Sequence, residues 1–514
     1  MRTPRPLRLL AAGAAVISAL VAGEAGVRWL DGFTVRSLAL RPLALRPPVT
    51  PVTPPSLVGL GASFLRHVGQ VPLADGVDSK WSMLSPPEIA RYPHRPDLLA
   101  RIAQFPTDPI GALLVWNPDY LRTQLCMGNR VGSLGILDEF FVYEPTEPGP
   151  FPIFRHFPRT SPPSWFVVNS FGWRGPDLAL QKPPRTIRLA FVGASTTVGV
   201  YGLPFSYPEF IGNWLNVWAS AKGLPYTFEV INAARTGINS ASIDAIVRQE
   251  LLAVDPDLVV FYEGANDFSP GKTLKLPATF AARPAVTFRQ RTEAENYSAV
   301  VRRVLMAFDM IMGGQGSEPE KPPYPEVWPA EVSESAPDVT HRPLPMDLQD
   351  VVANLDSMRA SLTSIGSELA LSSFIWMVYP GMQLDLRRNL TLYRYLNDTY
   401  WPATYAHMRR MVDFQNRVFS RYAERHQLAF FDVAAEFPRE LEFFGDAIHM
   451  NQEGLRLQAW YFLQQLVPLV EARINSGRWP RHLPNPPVSS TVGAEPRLLS
   501  RANIMASCDP VSRP

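Results

Sequence analysis

The stretch that most constrains the fold is an apolar run followed at once by small and hydroxyl-bearing residues, at 187–199 (IRLAFVGASTTVG). The positions from Ile187 to Val192, interrupted only by Arg188, are typical of a strand that is buried on both faces. In an open α/β sheet, ligands bind at the carboxyl ends of the strands. Ser195 follows this strand closely, so it is either a nucleophile at that edge or an ordinary capping residue in a turn.

Four more apolar runs alternate with helical patterns further along the chain. The predicted strands are Phe228–Ile231, Leu258–Tyr262, Phe374–Tyr379 and Ala429–Val433, and the helices lie near 206–218, 243–251, 347–368, 403–426 and 452–471. The helix near 206–218 opens with S-Y-P-E, which is typical of a capping box. Alternation of this kind predicts a mostly parallel, doubly wound sheet of five strands.

The amino-terminal residues predict export. Arg2, Arg5 and Arg8 precede the uncharged run Leu9–Gly23. A basic start before an apolar run indicates a secretory signal or an uncleaved anchor that leaves the following residues outside the cytoplasm. The small residues after the run show no clear A-x-A site, which favours the anchor. We therefore expect a single-pass segment over 1–30, with the rest of the chain on the periplasmic side of a bacterial inner membrane.

The remaining chain divides by composition. The Pro-rich residues 31–57 predict a linker, and 58–185 an accessory domain of short strands without a recognisable motif. Residues 186–472 hold the α/β domain, interrupted by a long insertion at 269–345. An amphipathic helix in the insertion, from Tyr297 to Ile311, could be a lid or a membrane-lying element, although packing on the core is the commoner outcome for such a stripe. The polar, Pro-rich residues 473–514 read as a tail without packed structure.

Charge and cysteine content limit the partners. A formal charge of +2, with scattered Lys and Arg, argues against a nucleic-acid partner. Cys126 and Cys508 cannot form a metal site by themselves. They could pair in an oxidising compartment, but the place of Cys508 in the tail argues against it.

A serine nucleophile needs a base, and the base needs a group that fixes its tautomer. His449 is the candidate base, because Asp446 stands three residues before it in FGDAIHMNQEG. The oxyanion needs preorganised donors. Three are available at strand ends: the Ser195 N–H, Gly237 in N-A-A-R-T-G, and Asn266 in E-G-A-N-D. Each motif alone is also common in ordinary turns.

In order, the motifs G-A-S-T-T-x-G, N-A-A-R-T-G, G-A-N-D and D-A-I-H resemble the four blocks of the SGNH (GDSL-type) esterase/lipase superfamily, over about 187–470. The resemblance implies a flavodoxin-like three-layer α/β/α sandwich that needs no metal or cofactor. It implies Ser195 as nucleophile, His449 as base and Asp446 as its partner, with Gly237, Asn266 and the Ser195 N–H as oxyanion hole. Two positions depart from the pattern.

The departures are Ala194, where the family usually has Asp, and Ala234, where it usually has Gly; neither removes a catalytic position. The stretch N-S-F-G-W-R-G (169–175) is similar to the lead-in of membrane-anchored bacterial members. The chain is therefore predicted to be a serine esterase that removes an acyl group, in particular acetyl, from a carbohydrate or small envelope molecule. Two alternatives stay open: an O-acyltransferase for an exported polysaccharide, and a non-catalytic glycan-binding envelope protein. The sequence is silent on oligomeric state.

Overall fold

The computed structural model describes most of the chain. The described residues are 5–31, 33–40, 60–93, 96–97, 114–126, 138–144, 152–161, 167–199, 203–270, 273, 293–312, 315–316, 318–321, 328–329, 331–340, 343–489, 492 and 494–508. Much of the predicted linker, from residue 41 to 57, lies outside them. His94 also lies outside them; it has no partner at metal-ligand spacing in the sequence, so we interpret it as a structural histidine.

Helices and strands are numbered in chain order. The α-helices are α1 (Arg5–Leu30), α2 (Ala62–Gln70), α3 (Pro118–Cys126), α4 (Ser195–Val198), α5 (Tyr207–Ala221), α6 (Ser240–Gln249), α7 (Ala299–Met312), α8 (Leu348–Ser364), α9 (Leu386–Arg394), α10 (Tyr405–Arg425), α11 (Val433–Glu436), α12 (Gln452–Asn475) and α13 (Arg501–Ala506). The strands are β1 (Leu114–Trp116), β2 (Glu139–Val142), β3 (Phe154–His156), β4 (Thr186–Gly193), β5 (Thr227–Asn232), β6 (Leu258–Tyr262), β7 (Gln315–Gly316), β8 (Glu368–Ser372), β9 (Leu384–Asp385), β10 (Ala429–Phe431) and β11 (Arg497–Ser500).

The large sheet has the order β10-β8-β6-β4-β5. Every pairing within it is parallel. Counted along the chain, this is the strand order 2-1-3-4-5, which is flavodoxin-like. Every residue of β4 is buried, as expected for a central strand covered on both faces. The predicted parallel five-stranded sheet is confirmed. The direction of the strand order reverses at β4, the strand that leads to Ser195.

Helices cover both faces of this sheet. Adjacent residues of a strand point to opposite faces, so Phe261 and Tyr262 of β6 report on the two layers. Phe261 packs edge-on against Phe419 of α10, whereas Tyr262 packs against Phe462 of α12. Helix α5 joins α12 through the edge-to-face contact of Trp214 with Trp460, and α8 joins α10 through a hydrogen bond. The predicted three-layer sandwich is therefore confirmed.

Local sequence explains the start of α5. Ser206 and Glu209 form the predicted capping box, with Pro208 in the first turn. The box satisfies amide groups that have no partner within the helix.

The fourth strand is displaced from the prediction. We expected Phe374–Tyr379, but β8 ends at Ser372, and the apolar residues that follow are buried without being a strand. Their amides are satisfied elsewhere: the Phe374 N–H donates to the Asn416 side chain, and the Met377 N–H to the Ala447 carbonyl. An apolar run therefore marked burial correctly, but it did not mark where the hydrogen-bonded strand ends.

The accessory region and the tail form one small sheet, with the order β11-β2-β1-β3. Strand β11 pairs antiparallel with β2, and α13 packs on α3. Cys126 and Cys508 form a disulfide between these two helical segments, across 382 residues of sequence. The predictions of an unpacked tail and of unpaired cysteines are therefore wrong. Two short segments that are far apart in the chain bury each other's apolar faces, and no local pattern announces this.

The helix of the insertion packs on the first helix of the chain. The Glu24 carboxylate of α1 accepts the N–H groups of Ala299 and Val300 at the start of α7, and Arg303 pairs with Asp31. Within the described part of the chain, no helix combines the length and the apolar character that crossing a membrane requires. The predicted segment 1–30 includes residues 1–4 and the side chains of 5–12 and 14, which lie outside the description.

Candidate active site

Ser195 lies at the carboxyl end of β4, as the first residue of the short helix α4. The turn into α4 is tight because of Gly193. A Cβ on that residue would lie 2.2 Å from the Tyr262 carbonyl oxygen and 2.3 Å from the Thr197 hydroxyl. Only glycine fits such a close approach. The Thr197 hydroxyl donates to the Tyr262 carbonyl (3.2 Å), which fixes α4 against the end of β6.

His449 reaches Ser195 from the loop before α12. The Ser195 hydroxyl donates to His449 Nε2 (2.8 Å), and His449 Nδ1 donates to Asp446 Oδ2 (2.7 Å). One tautomer, with the proton on Nδ1, satisfies both contacts. The structure thus brings together the hydroxyl, the imidazole and the carboxylate that the sequence predicts. The His449 side chain is 26% exposed and that of Asp446 15% exposed, so the site is open at the imidazole.

Asp446 is held by its own loop. Its second oxygen, Oδ1, accepts the N–H groups of Ile448 (2.9 Å) and His449 (2.8 Å). Burial alone would favour the neutral carboxyl. The hydrogen bond and charge of His449 outweigh burial and hold the pKa of Asp446 below its usual range. Asp446 is therefore an anion at neutral pH, suited to orienting an imidazole and to stabilising an imidazolium.

Gly237 and Asn266 stand in the two loops on either side of Ser195. Gly237 follows β5 with φ +70°, a conformation that favours glycine, and Asn266 follows β6. Both residues are exposed. The Asn266 side-chain amide donates one hydrogen bond to the Ile238 carbonyl (2.9 Å), and its other N–H has no partner among the described residues. The N–H of Ser195 opens α4 and has no acceptor within that helix.

Asp267 joins the same two loops through two further hydrogen bonds. Its carboxylate accepts the N–H (2.8 Å) and the hydroxyl (3.0 Å) of Ser240, the first residue of α6. Together with the bond from Asn266 to Ile238, these contacts hold the loops after β5 and β6 in one arrangement. Asp267 is part of E-G-A-N-D, but the sequence alone predicts no role for it. A carboxylate next to a candidate donor loop was the signal available.

Aromatic rings connect the Asn266 loop with the His449 loop. Phe268 packs on Trp376 (ring centroids 4.9 Å apart) and on Tyr400 (5.5 Å). Trp376 directly precedes Met377, whose N–H donates to Ala447 in the loop of the base (2.8 Å). The sequence does not predict these rings at the site, because residues 374–404 carry no motif that distinguishes a site wall from the core.

The side chains of Ser195, His449 and Asp446 are those that acyl transfer through a serine requires. A hydroxyl bonded to an imidazole, which is bonded to a carboxylate, can form and break an ester at the serine oxygen. Among the described residues, no group of three or more His, Cys, Asp or Glu side chains is arranged to hold a metal ion.

Comparison with known proteins identifies the family of the chain. The model of the GDSL-like lipase/acylhydrolase family matches residues 191–457, more than half of the chain. The chain belongs to the GDSL-like lipase/acylhydrolase family. It is an ester hydrolase of the α/β type. A search of curated proteins finds no match.

Several solved structures match a little over half of this chain. A GDSL-like lipase from Bacteroides thetaiotaomicron is 14% identical, with 58% of this chain and 93% of that chain covered and a TM-score of 0.28. An acetylxylan esterase from Geobacillus stearothermophilus is 16% identical (55% and 94% covered, TM-score 0.30). A lipase/acylhydrolase from Enterococcus faecalis is 17% identical (55% and 96% covered, TM-score 0.29).

Proposed function

We propose that this protein is a serine esterase in which Ser195 attacks an acyl ester, in particular an acetyl ester, of a carbohydrate or small envelope molecule. The observation that carries the proposal is the continuous hydrogen-bonded chain from the Ser195 hydroxyl through His449 to Asp446. Three side chains from two distant parts of the sequence meet in the order that nucleophilic catalysis needs.

The first half of the proposed reaction forms an acyl-enzyme. Ser195 Oγ attacks the ester carbon while its proton passes to His449 Nε2, and Asp446 stabilises the resulting imidazolium. The carbonyl oxygen becomes an oxyanion, which accepts hydrogen bonds from the N–H groups of Ser195 and Gly237 and from the Asn266 side chain. When the intermediate collapses, the bond to the alcohol oxygen breaks, and the alcohol leaves with the proton from His449.

The second half returns the enzyme to its starting state. A water molecule gives its proton to His449 and attacks the acyl carbon of the ester at Ser195. The second intermediate collapses with cleavage of the bond to Ser195 Oγ, which recovers the proton from His449. The carboxylic acid leaves, and both atoms and charges balance.

Hydrolysis of p-nitrophenyl acetate by the purified full-length chain and by Ser195→Ala tests the proposal. We expect the substitution to lower kcat by at least about 10³-fold, because it removes the nucleophile. Ser364→Ala, an exposed serine at the end of α8, is the matched control. A fluorophosphonate probe should label the wild type and the control but not Ser195→Ala. Equal hydrolysis by wild type and Ser195→Ala would end the proposal.

An acyl-enzyme can also pass its acyl group to a sugar hydroxyl instead of water. Mass spectrometry of the products formed from an acetylated oligosaccharide and an unacetylated acceptor separates the two outcomes. Free acetate supports the esterase, whereas an acetylated acceptor supports an O-acyltransferase. Retained glycan binding without any labelling by the fluorophosphonate supports a non-catalytic binding protein.

We also propose that the chain is exported and anchored in a bacterial inner membrane by residues 1–30. Arg2, Arg5 and Arg8 precede the apolar run, and several apolar side chains of α1, such as Ile17 and Leu20, are exposed. The disulfide supports export independently, because such bonds persist in oxidising compartments. Export makes acyl esters of envelope glycans accessible as substrates.

Fractionation of bacteria that express the full-length chain tests the location. The protein should sediment with the inner membrane and should be cleaved by protease added to spheroplasts, whereas a variant lacking residues 1–30 should stay in the cytoplasm. Protection of the full-length chain from protease in spheroplasts would contradict the proposed orientation.

A further inference from the structure

Glu263 is a buried carboxyl that the mechanism above does not use. It directly follows β6, and only 1% of its surface is exposed. Its Oε1 accepts the backbone N–H groups of Ala265 (2.8 Å) and Asn266 (2.7 Å). Both amides belong to the loop that carries Asn266. The side chain of Glu263 therefore sets the path of the loop from within, while the Asn266 side chain stands on the exposed surface.

Within the described part of the chain, no positive charge balances Glu263. Among the described residues it forms no salt bridge, and its Oε2 has no hydrogen-bond partner. The titratable groups that face it are acidic: the Asp267 carboxyl from the same loop, and the phenols of Tyr262 on β6, Tyr207 on α5, and Tyr395 and Tyr400 from the segment after α9. An ionised carboxyl that is buried with an unpaired oxygen is costly.

The same surroundings shift the pKa of Glu263. Burial, with the neighbouring Asp267 charge, raises the pKa of Glu263 to about 8, against hydrogen bonds from Asn266 and Ala265 that lower it. The four phenols do not titrate in this range, because burial raises the pKa of each above its ordinary value.

We propose that Glu263 is a positioning residue, a neutral carboxylic acid at pH 7 that fixes the Asn266 loop without opposing the negative charge of the oxyanion. The inference rests on the proposed esterase function. A carboxylate at this buried position would have the same sign as the oxyanion, and like charges repel more strongly through the protein interior than through water. A neutral acid accepts the same two backbone hydrogen bonds without that repulsion.

Two substitutions separate the acceptor from the charge. In Glu263→Gln the side-chain oxygen can still accept both N–H groups, so we expect kcat within about threefold of wild type at pH 7. Glu263→Ala removes the acceptor and loosens the loop, so kcat should fall by about 10- to 100-fold with KM within about twofold, which is less than the loss of a whole oxyanion donor. Unchanged kcat in Glu263→Ala overturns the proposal.

The pH profile tests the neutral form. Wild-type kcat/KM should fall as pH rises through about 8, where Glu263 ionises, whereas Glu263→Gln should hold its activity there. Glu424→Gln, an exposed carboxyl on α10, is the control and should keep the wild-type profile. An alkaline fall shared equally by wild type and Glu263→Gln overturns the proposal.

Thermal unfolding gives a readout that needs no activity. Because the folded-state pKa is raised from 4.5 to about 8, the contribution of Glu263 to stability is full below about 4.5 and is lost as pH rises towards 8. The Tm of Glu263→Gln, relative to that of the wild type, should therefore rise between pH 5 and pH 8.5. Parallel plots of Tm against pH for the two proteins would overturn the neutral-acid role. If Ser195→Ala hydrolyses the ester as fast as wild type, the esterase proposal fails. The comparison of Tm values still tests whether Glu263 is neutral in the folded protein.

Discussion

The Nε2 atom of His449 lies 2.8 Å from the Oγ atom of Ser195, although 254 residues separate the two positions. Ser195 is placed by the end of β4, and His449 by the loop that leads into α12. The contact forms because the parallel sheet brings both segments to the same edge, where the strands end. The imidazole is fixed from its other side by Asp446 at 2.7 Å.

Asp446→Asn should lower kcat by about 10³- to 10⁴-fold, with KM nearly unchanged. The amide favours the wrong imidazole tautomer and cannot stabilise an imidazolium. Its oxygen can still accept the N–H groups of Ile448 and His449, so the loop should keep its shape. Steady-state kinetics with p-nitrophenyl acetate, together with Tm, measures both effects. A kcat within tenfold of wild type would contradict the role of Asp446.

Asn266→Ala should lower kcat by about 10²- to 10³-fold, the usual cost of one lost oxyanion donor. The substitution also removes the hydrogen bond to Ile238, so a modest fall in Tm should accompany it. Asn503→Ala, at an exposed position on α13, is the matched control and should leave both quantities unchanged. If KM rises while kcat stays constant, Asn266 binds the substrate rather than the oxyanion.

The double variant Cys126→Ser, Cys508→Ser should lower the free energy of unfolding by about 2–5 kcal/mol, because the disulfide constrains a long loop of the unfolded chain. Catalysis should change little, since the bond joins two helical segments beside the small sheet, which holds none of the proposed catalytic residues. Guanidinium unfolding followed by circular dichroism measures the effect. Dithiothreitol should destabilise the wild type to the same extent and leave the double variant unaffected; equal sensitivity of both would show that the bond contributes nothing.

His156 should make the fold sensitive to acid. Burial, with the nearby charge of Arg235, lowers the pKa of His156 to about 3, from an ordinary value of 6.5. The unfolded chain therefore binds a proton that the folded chain does not, so stability falls as pH drops from about 6.5 towards 3. Between pH 6.5 and pH 4 the loss from this group is about 3 kcal/mol at 1.4 kcal/mol per pH unit.

In His156→Asn, this part of the acid sensitivity should disappear. Plots of the unfolding free energy against pH, from urea titrations of the wild type and the variant, compare the two slopes directly. Identical slopes below pH 6.5 would mean that another group is responsible.

The local sequence predicted secondary structure well where a strand or helix is buried within the layers of the sandwich. The run before Ser195 is a strand because each of its residues lies in the core, and Ser206 with Glu209 starts α5 because the box meets the needs of the helix end. The same apolar pattern predicted the fourth strand at the wrong position, after the end of β8. An apolar pattern reports burial, but Phe374 is buried in a loop whose amide is satisfied by a side chain.

The sequence by itself determined the order of strands and helices and the identity of the residues at the strand ends, because periodicity and turn chemistry are local. Only the tertiary structure decided that Cys508 meets Cys126, that α7 is capped by Glu24, and that Glu263 lies buried beneath the Asn266 loop. These contacts join segments with no shared pattern, or place an ordinary residue in an unusual environment. Their stability comes from burying surfaces and charges together, and that burial exists only once the chain has folded.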